Sequence, residues 1–236
     1  MAVVTVASVI ERALGFIYRV YLSRALGAEG VGIYQISVSV IGLIMTLTSS
    51  GIPITVSRIM TKHSAAREGA RNYKTFTAGV ILSIIASAPI VFALTAFGDF
   101  FSFIFTDKRC MSVLTIMLPG VIITSVYAVI RGYFWGEKKF FTYSAIELLE
   151  EAVMLIAGII LINNAVSAET GAKRAGLAVL ISYAFSFAAA TIVYFMHGGK
   201  LKSPKGELKP LISSATPITL MRTGGSLINT LIAVVL

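Results

Sequence analysis

Five stretches of the chain contain no Asp, Glu, Lys or Arg: Gly30 to Ser57, Thr75 to Gly98, Cys110 to Ile130, Ala152 to Ala168 and Ala175 to Gly199. Short basic segments separate them. A bilayer core about 30 Å thick takes about 20 apolar residues of helix to cross. Four of the stretches reach that length, and the fifth does so if it begins among the glutamates before it. An open strand would leave backbone groups unpaired in hydrocarbon, so the expected fold is all-α, a polytopic transmembrane helix bundle. The predicted spans are 2–24, 32–57, 75–97, 111–133, 142–163 and 175–196, with a seventh starting near Leu211. Pro53, Pro89, Pro119 and Pro217 fall within or near spans and are expected to kink them. Gly27, Gly30 and Gly32 read as a tight turn between the first two spans. Gly42, Ser49, Ser50, Gly51, Gly79 and Ser83 suit close helix approach.

Charge adds an orientation. Segment 58–74 holds Arg58, Lys62, Arg67, Arg71 and Lys74; segment 131–141 holds Arg131, Lys138 and Lys139; segment 197–210 holds Lys200, Lys202, Lys205 and Lys209. These twelve basic residues fall on one side of the predicted topology. Arg24, Lys108, Arg109, Lys173 and Arg174, five in all, fall on the other. The positive-inside rule assigns the richer side, and the N-terminus with it, to the cytoplasm. The aromatic run Tyr133, Phe134, Trp135, Phe140 and Phe141 reads as an interface belt.

Hydrophobic residues make up 56% of the sequence and charged residues 13%, against about 25% charged in soluble domains. The net charge of +9 then follows from loop topology, and no nucleic-acid partner is expected. Cys110 is the single cysteine, which excludes an internal disulfide. His63 and His197 fall in predicted loops. Met1 to Ile10 lacks the basic n-region and the exit of a cleavable signal, so it reads as the start of a charged transmembrane helix. The last span stops without a polar flank, which predicts a piece of a longer transporter.

Charges within spans are the main functional signal, because each costs roughly 2.5 to 3.5 kcal/mol at mid-bilayer on insertion scales. Arg12 and Arg19 lie seven residues apart on span one, almost two turns, and share a direction. Glu11 lies beside them. Glu147, Glu150 and Glu151 open span five at i, i+3 and i+4 and gather on one face. These side chains are expected to line a hydrated cavity between helices. Arg24, at a helix end, can also snorkel to the headgroups. Arg58 and Arg131 close their spans on the cytoplasmic side, as topology signals or as substrate contacts, and Arg222 in span seven is a further candidate. No H-E-x-x-H, G-x-S-x-G or Walker A pattern is present. The chain therefore reads as a non-enzyme with no catalytic residues, metal site or cofactor.

Arg12-Ala-Leu-Gly-Phe-Ile-Tyr-Arg19, followed by Leu22-Ser-Arg-Ala-Leu-Gly-Ala-Glu-Gly-Val-Gly-Ile-Tyr-Gln35, resembles the opening of the stage V sporulation protein B family. So does Arg131-Gly-Tyr-Phe-Trp-Gly136 before a glutamate-bearing helix. That family belongs to the multidrug/oligosaccharidyl-lipid/polysaccharide exporter superfamily, which includes the lipid II flippases. The resemblance runs through essentially the whole sequence. It implies two facing six-helix lobes, with residues 1–210 the N-terminal lobe and 211–236 the first helix of a truncated second lobe. It also implies flipping of a polyprenyl-pyrophosphate-linked sugar, an oligosaccharide or peptidoglycan precursor, across the bacterial cytoplasmic membrane. By motif, Arg12 and Arg19 would hold the pyrophosphate, with Arg24 and Arg58 as additions, and Glu150 matches the family's span-five glutamate. Two departures stand out. Arg19 comes one place later than in lipid II flippases, about 100° round the helix, and Met154 replaces a second span-five arginine. Two rival readings remain open: a cation-coupled multidrug antiporter of the same superfamily, and a non-transporting membrane scaffold or inactive fragment.

Overall fold

A computed structural model describes residues 2–98, 105, 107–163 and 167–235. The elements are α1 (Ala2–Ser49), α2 (Ile52–Ala65), a 3₁₀ turn (Gly69–Arg71), α3 (Asn72–Ala96), α4 (Arg109–Gly136), α5 (Phe140–Ile162), α6 (Ala168–Met196) and α7 (Leu208–Val235). Among the described residues there is no strand.

The first two predicted spans are the two arms of α1. Helical geometry fails at one residue, Gly27, with φ 67° and ψ −179°. That region is essentially restricted to glycine. Residues 15–23 before the break and 31–39 after it line the same cavity, so the arms fold back on each other. Gly30 and Gly32, predicted in the turn, are helical. Opposite the first residues of α4, Arg109 donates to Asp107 and to Glu29, each at 2.7 Å, and ties the hairpin tip to the bundle. The Arg109 guanidinium holds the Asp107 carboxyl below its ordinary range. Replacing Gly27 with Ala should lower stability by about 1 to 3 kcal/mol, read as a drop in the thermal midpoint of the detergent-solubilised chain.

The second arm pauses at Ser50–Gly51 and resumes as α2. Pro53 sits in the first turn of α2, where its missing N–H costs no hydrogen bond. It starts a helix and does not kink one, contrary to the sequence reading. Pro89, Pro119 and Pro217 lie inside α3, α4 and α7. The second span also does not end at Ser57. It continues to Ala65 because Ile52, Val56, Met60 and His63 keep one buried stripe, while Arg58, Thr61 and Lys62 face outward. Arg58, Lys62 and His63 are therefore helical residues rather than loop residues. His197 is the C-cap of α6. Span four likewise runs on to Gly136 and encloses Arg131.

Helix α4 is the core of the bundle. Val113, Leu114, Leu118, Val121 and Val129 are fully or almost fully buried on it, and it packs against α1, α2, α3 and α6. Four helical stretches are long and apolar enough to cross a membrane: Val4–Ala65, Gly69–Ala96, Arg109–Gly136 and Ala168–Met196. The first is long enough for two passes of about 20 residues each. Ile85, Phe92 and Ile160 are more than half exposed on the outer surface, which suits lipid contact. The chain is a multi-pass membrane protein.

The aromatic run does not form one belt. Tyr133 and Phe134 are buried. Tyr133 packs edge-on against Phe76 and Tyr194, which stack at 4.1 Å. Phe140 and Phe141 alone of the run stand well exposed.

The three basic loops converge on one end. Arg71 of the 3₁₀ turn binds Glu207 just before α7, the Asn72 amide reaches Glu137 after α4, and the Lys202 N–H donates to Thr77. Three helices stop there in left-handed residues, Arg67 (φ 59°), Lys138 (φ 58°) and Gly198 (φ 78°). The next N–H in each case bonds back across the last turn: Glu68 to His63, Lys139 to Phe134 and Gly199 to Tyr194. This is the Schellman pattern of helix termination. Approach is close where α7 crosses the α1–α2 junction, since a Cβ on Gly51 would lie 2.5 Å from the Ala215 carbonyl oxygen. Gly42, expected to mediate such an approach, meets nothing within 4 Å.

Candidate functional site

The two arms of α1, together with α5 and α6, enclose a cavity of about 960 Å³. Tyr18, Arg19, Tyr34, Gln35, Glu151 and Tyr183 contribute its polar lining. A second cavity of about 510 Å³ adjoins it, lined by Glu11, Arg12, Gly15, Phe16, Arg19 and Glu151. Gly15, Arg19 and Glu151 line both. They form one polar face along the first arm, about 10 Å from Arg12 to Arg19 at 1.5 Å per residue. The backbone at Gly15 lets Glu151 approach the arm: a Cβ there would lie 3.8 Å from Glu151 Oε2.

Arg12 and Arg19 are both exposed. Among the described residues neither is ion-paired. Two guanidinium groups directed into open space along one helix face can accept a polyanion without first breaking internal bonds. Glu11, Glu147 and Glu151 are electrostatic neighbours of one another, and Glu151 is also a neighbour of Arg19.

The span-five glutamates remain electrostatic neighbours but turn to different partners. Glu147 pairs with Arg131 at 3.4 Å, and the Arg131 guanidinium lies 5.7 Å from the Trp135 ring centre. Glu150 turns the other way, toward Ser186, Tyr127 and Tyr183. Its Oε2 is buried without a partner, as are Glu151 Oε2, Arg131 Nε and the hydroxyls of Tyr18 and Tyr127. Arg24, Arg58 and Arg222 are exposed and are not among the side chains lining these two cavities. The predicted residues thus fall into three groups. Glu11, Arg12, Arg19 and Glu151 face the open cavity. Arg131, Glu147 and Glu150 lie between α4, α5 and α6. Arg24, Arg58 and Arg222 stand apart from both.

Sequence reasoning missed Tyr34, Gln35 and Tyr183, which share the cavity wall. Their uncharged polar groups carry no intramembrane cost large enough to stand out. Gln35 had one usable signal, as an amide inside a charge-free span. Among the described residues, no group of three or more His, Cys, Asp or Glu side chains is arranged to hold a metal ion.

A sequence family described as polysaccharide biosynthesis protein matches residues 1–236. The stage V sporulation protein B of Bacillus subtilis (strain 168) is 28% identical over 210 residues, covering 87% of this chain and 36% of that protein. The lipid II flippase MurJ of the same organism is 21% identical over 230 residues, covering 91% of this chain and 41% of that protein. A solved structure of a superfamily transporter from Pyrococcus furiosus superposes with a TM-score of 0.77 at 17% identity, covering 96% of this chain and 53% of that one. The chain therefore spans between a third and a half of the length of the curated relatives it matches.

Proposed function

The chain belongs to the polysaccharide biosynthesis protein family, and from that membership we propose that it is part of a membrane transporter that flips a polyprenyl-pyrophosphate-linked sugar across the bacterial cytoplasmic membrane. Residues 1–210 are the first lobe and 211–236 open the second. The basic end and the N-terminus face the cytoplasm, in keeping with the positive-inside rule. The observation that carries the reading is the pair of exposed, unpaired arginines on two adjoining cavities, Arg19 lining both and Arg12 the smaller one.

The pyrophosphate enters between Arg12 and Arg19, which bind it through charge-assisted hydrogen bonds of fixed geometry. The sugar occupies the larger cavity, where Tyr34, Gln35 and Tyr183 offer hydroxyl and amide groups. The polyprenyl tail stays in lipid. Glu11, Glu147, Glu150 and Glu151 are the candidate coupling sites, since an arriving cation offsets their desolvation and loosens the Glu147–Arg131 pair. Rocking of the two lobes then exposes the head to the other side. Arg24, Arg58 and Arg222 serve the membrane interface or the path to the cavity.

A second reading, a cation-coupled drug antiporter, has one observation in its favour: Glu11 and Glu151 line the same cavity. Competition separates the two. In proteoliposomes of the complete transporter, polyprenyl pyrophosphate should block flipping of a labelled lipid-linked sugar while organic cations leave it unchanged. Block by organic cations and indifference to the pyrophosphate would move the assignment to the antiporter.

A further inference from the structure

On the first arm of α1, Arg12, Gly15 and Arg19 stand at i, i+3 and i+7. That spacing keeps all three within about 60° of one another around the helix, so they form one stripe. Gly15 is the gap in the stripe, about 4.5 Å along the axis from Arg12 and about 6 Å from Arg19. The gap is filled from α5. Glu151 reaches across, and its Oε2 lies 3.8 Å from the point that a Cβ on Gly15 would take. A carboxylate therefore stands over the glycine between the two arginine positions, where the proposed function seats a pyrophosphate.

Among the described residues Glu151 forms no salt bridge, although Arg19 is an electrostatic neighbour. Its Oε2 has no hydrogen-bond partner. The other α5 acids turn elsewhere, Glu147 to Arg131 and Glu150 toward Ser186. The smaller cavity is thus lined by two guanidinium groups, Arg12 and Arg19, and two carboxylates, Glu11 and Glu151. Glu11 differs in position, because it lies about 100° round the helix from Arg12. Glu151 also lines the larger cavity, with Gly15 and Arg19. A carboxylate fixed beside a cation pair offsets its charge and repels an arriving anion, and both effects grow as water is excluded.

We infer that Glu151 is a built-in counter-charge for the arginine pair, which weakens the grip on pyrophosphate and so lets the head leave once the lobes have rocked. The inference rests on the pyrophosphate reading and names the residue that sets the affinity of that site. Glu151 is a positioning residue, since it acts through Arg12 and Arg19 and does not itself hold the head. Its place over Gly15, and not acidity alone, gives it this role.

Two measurements test this: binding of a sugar-free polyprenyl pyrophosphate to the complete transporter in detergent, and the flipping rate in proteoliposomes. Glu151→Gln keeps the length and shape of the side chain and removes its charge. It should bind the probe roughly tenfold more tightly, or about 1.4 kcal/mol. It should also flip the lipid-linked sugar at a lower maximal rate, because tightening the bound state alone deepens the well that release must leave. A residue that only packs would not move affinity and rate in opposite senses. Glu11→Gln should shift both values less. If Glu151→Gln fails to fold, Glu151→Asp withdraws the charge from Gly15 by one methylene and should still tighten binding, by roughly twofold. Unchanged affinity in Glu151→Gln, with binding lost in the Arg12→Gln and Arg19→Gln double variant, overturns the inference and leaves the pyrophosphate reading standing. Weaker binding by Glu151→Gln, or equal gains from Glu11→Gln and Glu151→Gln, also overturns it. Wild-type binding by the arginine double variant overturns the pyrophosphate reading, and the role of Glu151 with it.

Discussion

Replacing both Arg12 and Arg19 with Gln in the complete transporter should abolish flipping of the lipid-linked sugar while leaving membrane insertion intact. Each arginine is placed to supply charge-assisted hydrogen bonds to the pyrophosphate, worth about 1.5 to 3 kcal/mol apiece. Losing both weakens binding by roughly 10² to 10⁴. Glutamine keeps a hydrogen-bonding side chain of moderate length, so the change reports on charge and bidentate geometry. Neither arginine holds another part of the fold by an ion pair, because neither is paired among the described residues. Folding and insertion should therefore survive, measured as unchanged expression and thermal midpoint. Flipping is read from the accessibility of a labelled lipid-linked sugar to a membrane-impermeant quencher. Wild-type rates in the double variant would remove the pyrophosphate role from this face. The single variants should fall between the two extremes, with Arg19→Gln the more damaging, since Arg19 lines both cavities and Arg12 one.

The second large effect concerns stability and sits at the other end of the molecule. Glu207 is 2% exposed, although it lies in a loop of lysines. Its Oε1 accepts from Arg71 Nε at 2.9 Å and Nη2 at 2.7 Å. Its Oε2 faces Thr75 Oγ1 at 3.4 Å and His63 Nε2 at 3.7 Å. The carboxylate thus joins α2, the 3₁₀ turn and α3 to the start of α7. Glu207→Ala should lower stability by about 2 kcal/mol. This is less than the cost of breaking a fully enclosed pair, because Arg71 keeps access to solvent and retains Glu68. Glu207→Gln should cost less, since an amide oxygen can still accept from Arg71. Thermal unfolding in detergent, with limited proteolysis of the loop at 197–207, gives the comparison. An alanine variant as stable and as protease-resistant as wild type would show that α7 is held by its apolar contacts alone.

The acidic residue in that loop was visible in the sequence as an exception. Lys200, Lys202, Lys205 and Lys209 surround a single glutamate, and charge counting treated the segment as one basic block. A count along the chain carries no information about which charge turns inward. His63 was lost in the same way. The charges at Arg58 and Lys62 suggested a loop, whereas the helix simply turned its apolar stripe inward and its basic face outward.

Much of this protein follows from the sequence alone. Charge-free stretches of about 20 residues pointed to an all-helical membrane bundle. The loop charges grouped three segments that do meet at one end. The cost of intramembrane charge singled out Arg12, Arg19 and the span-five glutamates. Helical periodicity gave the direction of each side chain around its own axis, but it does not say what stands there. Only the tertiary structure set the neighbours. It folded α1 back at Gly27, so that Arg19 and Tyr34 share a cavity. It separated Glu147, Glu150 and Glu151 among Arg131, Ser186 and the first arm, despite their common face. It buried Tyr133 and Phe134 against Phe76 and Tyr194, where sequence pattern placed them in an interface belt. The physical reason is the same each time. Hydropathy and periodicity are local and act along one helix, whereas burial and pairing depend on contacts between residues far apart in the chain.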